Sequence, residues 1–173
     1  VVTEGGFVWA YASVIDSRTN DPTTVAMLTR SELGPPIGSA VTYTVPSVAH
    51  NKGVAGSRWY TDLAAVNTSE VSTTVSLVYT PRGSGDPVSK SVELGAHGTV
   101  EWQNVLESLF GIGSEAESQG VVRIDSTVLL AISSRTYNRS ASGTFGQSYP
   151  ALIERNGLEA GTLGSLPGLK KTP

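Results

Sequence analysis

The amino-acid sequence predicts an all-β protein, a sandwich or a barrel, and three observations carry that prediction. Roughly a quarter of the residues are Ser or Thr, charged residues make up only 16% and hydrophobic ones 39%, a balance that suits half-buried pleated surfaces. Short Val- and Thr-rich runs recur along the chain, divided by clusters of Gly, Pro, Asn and Asp. A single stretch departs from the two-residue period of a strand.

The first strand spans residues 7–15 and is apolar on both faces. Phe7, Trp9, Tyr11 and Ile15 fall on one side, and Val8, Ala10, Ala12 and Val14 on the other. Such a strand suits a covered position, yet it stands apart from the rest of the core. Exposed, it would recruit another chain. Residues 16–22 gather turn formers, and 23–29 read as a second strand. Gly34-Pro35-Pro36-Ile37-Gly38 is a stiff linker, which sets the start of the main domain at residue 39.

From there the spacing predicts strands over 41–45, ending at Pro46, and over 58–66, 71–80, 88–94, 120–125, 127–137 and 144–152. Trp102, Val105, Leu106, Leu109 and Phe110 fall at helical spacing, with Gly111 placed to stop the turn. A short helix over about 101–110 follows, with Trp102 and Phe110 plugging one end of the fold. After residue 153, Leu158, Leu163, Leu166 and Leu169 are spaced among glycines: too apolar for a plain disordered tail and too Gly-rich for a helix. The chain thus divides into an N-terminal strand segment and linker (1–38), a β domain (39–153) and an extended tail (154–173).

The net charge of −3 gives no footprint for phosphates, which excludes nucleic acid and anionic membrane surfaces as partners. No apolar run approaches the roughly 20 residues a bilayer-spanning helix needs. The absence of cysteine removes disulfides, thiolate metal sites and cysteine nucleophiles together. The chain opens on Val1 with no charged-then-apolar leader, so a removed signal peptide or a piece of a longer chain is expected.

No catalytic motif is present, and His50 and His97 sit in predicted loops outside any nucleophile or metal signature. The chain reads as a protein that is not an enzyme and needs no cofactor. The one metal it could take is calcium, at Asp16, Asn20 and Asp21, although turn-forming side chains account for those residues without a cation. Asp62, inside an apolar strand, calls for a bond to a loop amide. Trp9, Tyr11, Trp59, Tyr60 and Tyr137 are the aromatics that could stack on a glycan, but their strand positions favour burial. Asn67-Thr68-Ser69 and Asn138-Arg139-Ser140 match the glycosylation sequon, which matters only in a eukaryotic secretory setting.

Residues 45–63, containing Asn51-Lys52-Gly53-Val54-Ala55-Gly56-Ser57-Arg58-Trp59-Tyr60-Thr61-Asp62-Leu63, with Asn67 closing the strand, resemble repeat modules of large secreted bacterial proteins of immunoglobulin-like type. Leu109-Phe110-Gly111 and Gly143-Thr144-Phe145-Gly146-Gln147 fit the same pattern. The resemblance covers about residues 41–152 and implies an extracellular, noncatalytic, immunoglobulin-like antiparallel β-sandwich. It also makes residues 10–22 look like the closing strand of a preceding module and the tail like the lead into a following one. The leading expectation is therefore a structural subunit on the bacterial surface that self-assembles by strand complementation into a homopolymer. Phe7, Val8, Trp9, Tyr11, Val14 and Ile15 would be the donated residues. The alternative is a monomeric secreted adhesion module that recognises a glycan or a protein partner.

Overall fold

A computed structural model describes residues 11–26, 40–154 and 160–161, leaving aside the side chains of Val14 and Ala26. Phe7, Val8 and Trp9 of the expected donor strand, and nearly all of the Leu-rich tail, lie outside the described residues. The described residues form an all-β sandwich with one short α-helix, as the composition and spacing predict.

The N-terminal strands β1 (Tyr11–Ile15) and β2 (Pro22–Ala26) form an antiparallel hairpin that shares no ladder with the other sheets. The remaining strands are β3 (Val41–Lys52), β4 (Arg58–Asn67), β5 (Thr73–Pro81), β6 (Val88–Leu94), β7 (Thr99–Trp102), β8 (Ser118–Ser126), β9 (Leu130–Ser140), β10 (Gly143–Pro150) and β11 (Leu152–Ile153). They run in the order β10-β9-β4-β3-β8-β5-β6, with β7 added beside β4 and β11 beside β3. One layer holds β10, β9, β4 and β7, and the other β3, β8, β5, β6 and β11. β3 belongs to both, because Asn51 and Lys52 leave the β8 ladder and pair with Trp59 and Arg58 of β4.

Alternation explains the core. Along β4 the buried residues are Thr61, Leu63, Ala65 and Asn67, while Tyr60, Asp62, Ala64 and Val66 face the other way. Leu63, Leu77, Tyr79, Val122, Ile124 and Leu130 meet between the layers, each at most 1% exposed. Phe110 closes one end against the Tyr79 ring, 5.5 Å between centroids, as the sequence suggests for that aromatic.

Several boundaries differ from the sequence-based expectation; the strand expected over 144–152 divides into β10, which pairs β9, and β11, which pairs β3. β3 does not stop at Pro46; it continues to Lys52 through a register shift between Val45 and Val48. A bulge leaves residues out of the ladder, so a proline without an N–H fits there. The expected helix over 101–110 shrinks to α1 (Val105–Ser108), and Trp102 belongs to β7, opposite Leu63. Asn104 takes a left-handed backbone, φ 47°, which cuts the chain between strand and helix.

Candidate functional site

The structure gathers the N-terminal turn onto β10, the edge strand of one layer. Asp16 Oδ1 accepts the N–H groups of Arg18 (2.8 Å) and Thr19 (3.3 Å), the side-chain turn that the sequence offers as an alternative to calcium. Asn20 completes the bend with φ 55°. The carboxylates then reach outward. Asp16 Oδ2 accepts both the N–H (2.9 Å) and the hydroxyl (2.6 Å) of Thr144, and Asp21 Oδ2 accepts the N–H of Gly146 (2.7 Å). The Thr144 hydroxyl, followed by the N–H groups of Arg18 and Thr144, holds the Asp16 carboxyl well below the usual carboxylate range.

Thr144 and Gly146 are two apart, so both N–H groups point away from β9, along the free edge of the sheet. Two acidic side chains therefore occupy the donors of an edge strand. Thr19 donates its hydroxyl to the Thr144 carbonyl (2.7 Å). Arg135 of β9 completes the seat: its Nε donates to Thr23 Oγ1 (2.9 Å), and its Nη2 lies 3.5 Å from Asp21. Among the described residues, no group of three or more His, Cys, Asp or Glu could hold a metal ion.

Beyond the turn, β2 lies over the outer face of β4, β9 and β10 with no backbone ladder to them, and a groove of about 380 Å³ remains between. Its walls include Val25, Val66, Ala131 and Pro150. A second hollow of about 230 Å³ shares Val25 and Ala64 with it and adds Asp62, Glu101 and Arg135. Small residues at 64, 131 and 133 make this space, since alternate larger side chains go inward.

The histidines are apart and differently placed. His50 is fully buried in the β3 end. Asn104 donates its amide to Glu107 (2.7 Å), and its Oδ1 lies 3.0 Å from His50 Nδ1. Nε2 lies 3.1 Å from the Ser114 carbonyl and 3.3 Å from Arg58 Nη2, so both ring nitrogens are engaged within the fold. Arg58 also ties down the following loop through the Ser114 carbonyl, 2.6 Å away. His97 lies on a surface turn, paired with Glu70 at 2.9 Å.

Asp62 takes the loop amide that its position calls for, the N–H of Asn104 at 2.8 Å, and also accepts the Tyr137 hydroxyl (3.2 Å). Burial first, then the Asp62 charge, push the Tyr137 phenol up to about 12. Of the aromatics considered for stacking, Tyr137 is buried, while Trp59 and Tyr60 are consecutive in β4 and face opposite sides. Tyr11 is 78% exposed on the hairpin, far in sequence from either, and Trp9 lies outside the described residues. Asn67 is no glycan acceptor: it is fully buried, donating to the Val71 and Gly95 carbonyls while its oxygen accepts from Ser69. Asn138, of the second sequon, is half-buried and donates to Ser57.

Sequence reasoning missed Thr144, Gly146 and Arg135 as the partners of the N-terminal turn. The one signal is the glycine spacing of Gly143-Thr144-Phe145-Gly146. A Cβ at 146 would strike Tyr137 of β9, and one at 143 would strike Thr19 of the turn.

No protein-family model matches the chain, and no curated protein matches its sequence. Among solved structures it is similar to the crystal structure of Thermotoga maritima 1070, with a TM-score of 0.52 at 12% identity over 68% of this chain and 97% of that one. That likeness concerns the fold.

Proposed function

We propose that this chain is a noncatalytic structural subunit, an extracellular module of the immunoglobulin-like repeat kind, that self-assembles through its N-terminal hairpin. The observation that carries this reading is the contrast between edges. β10 is covered by Asp16 and Asp21, and β6 carries Lys90 and Glu93 after Pro87, both ordinary ways of keeping an edge from pairing. β1, Tyr-Ala-Ser-Val-Ile, carries no charge and has no partner on its outer side among the described residues.

The direction of its bonds follows from register. Asp16 donates its N–H to the Asp21 carbonyl opposite it, so bonded pairs fall at 14/23 and 12/25. Pro22, which has no N–H, occupies a non-bonded position opposite Ile15. The N–H groups of Tyr11, Ser13 and Ile15 therefore face outward. A second chain added there would gain a row of backbone bonds and could build an open, head-to-tail array. Ser13→Pro deletes one outward N–H without touching the hairpin ladder. Sedimentation at one concentration should show large polymers of the parent chain and smaller species for the variant; a monomeric parent at all concentrations refutes the reading.

The groove supports a second reading, a monomeric binding module for a glycan or a protein partner. Apolar walls beside the Asp62 and Glu101 carboxylates suit a ligand with an apolar body and a polar end. Ala131→Trp, which fills the groove, would abolish such binding and leave sedimentation unchanged.

A further inference from the structure

We infer that the seat on β10 is an exchange site, which holds the hairpin of a second copy in place of the chain's own. This rests on the reading of the chain as a self-assembling subunit and names a second contact within that assembly. The occupant is already defined, because the turn of the same sequence fits the seat in the structure. Asp16 meets the Thr144 N–H and hydroxyl, Asp21 meets the Gly146 N–H, and Arg135 meets Thr23. A neighbour's turn would make the same bonds.

Three features favour exchange. The hairpin shares no ladder with the sandwich, so leaving the seat breaks side-chain bonds and no strand pairing. Those bonds are polar and partly exposed, and water can replace them during transfer. Thirteen residues, 27–39, connect β2 to residue 40, enough at roughly 3.3 Å per extended residue to reach a neighbouring sandwich. Exchange of an identical element costs little at equilibrium because every contact is remade, and a non-reciprocal exchange continues from copy to copy.

The chain contains no cysteine, which makes the test direct. Arg18 and Ser142 are exposed and stand outside the clamp's side-chain bonds; Arg18 Cβ lies 3.2 Å from where a Cβ on Gly143 would be, next to Ser142. Full-length Arg18→Cys and Ser142→Cys chains are mixed and treated with a short bis-maleimide, and the 18–142 crosslink is identified by peptide mass. Exchange predicts crosslinked dimers that increase with concentration and incubation time. Adding Asp16→Asn and Asp21→Asn should lower their yield about tenfold, as expected for losing charge-assisted bonds at both ends. Thr19→Val, which removes the hydroxyl bond to Thr144, is the milder variant should the doubly substituted chain fail to fold, and should give an intermediate yield. Mixed chains that crosslink no better than the Asp16/Asp21 variant, alongside a doubly labelled chain that crosslinks only within itself, overturn the proposal. Ser13→Pro separates the two ideas: it should abolish edge polymers and leave the 18–142 crosslink intact.

Discussion

The sandwich and the hairpin are held by different forces. Between the layers, apolar side chains are removed from water and backbone groups pair in continuous ladders, so each residue is supported by many neighbours. The hairpin is attached by a handful of hydrogen bonds, accepted by Asp16, Asp21 and Thr23 and donated by Thr19, with β1 largely exposed. A region fixed by burial resists local change. A region fixed by a few polar bonds can open without disturbing the rest.

The comparison breaks most visibly in the core. Leu77→Ala, at a site 1% exposed, should cost about 3 kcal/mol in denaturant unfolding; a loss under about 1 kcal/mol would mean that the layers are loosely joined. Asn67→Ala should cost about 2 kcal/mol, because the Val71 and Gly95 carbonyls and the Ser69 N–H lose their buried partner. Asp16→Asn with Asp21→Asn should leave sandwich stability unchanged and accelerate amide exchange at Thr144 and Gly146, read by NMR. Unchanged protection at those two amides would contradict the clamp.

The smallest effect is a titration. The folded-state value of Asp16 is depressed, so its contribution is complete above the unfolded value of about 4 and is lost as pH falls below that, toward the folded value. The Thr144 amide resonance should hold steady down to about pH 4 and shift only in stronger acid. A midpoint near 4 would show that the turn is unclamped in solution.

Much of this contrast was legible in the residues. Alternation marked the strands, turn formers marked 16–22, and the oddity of a carboxylate at 62 pointed to a loop amide, which is that of Asn104. The helix boundary was not legible, because two different elements satisfy the same apolar spacing. Trp102 turns toward the core from a strand, while Val105, Leu106 and Phe110 reach it from a single helical turn and the loop after it. Pro46 misled for a related reason, since a bulge absorbs what would otherwise end a strand. The clamp was out of reach altogether: Asp16 and Thr144 are 128 residues apart, and local pattern carries no information about such a pairing.

The pairing of β11 with the start of β3 has a mechanical consequence. Ile153 lies opposite Tyr43 and Leu152 opposite Thr44, so the chain enters and leaves the sandwich side by side at one end. Tension applied through residues 40 and 154 would load those two residue pairs one after the other, like a zipper, instead of shearing a whole ladder at once. In a stretched array the sandwich would hang from the line of force as a pendant, and its first yield would be the short β11, with the core still closed.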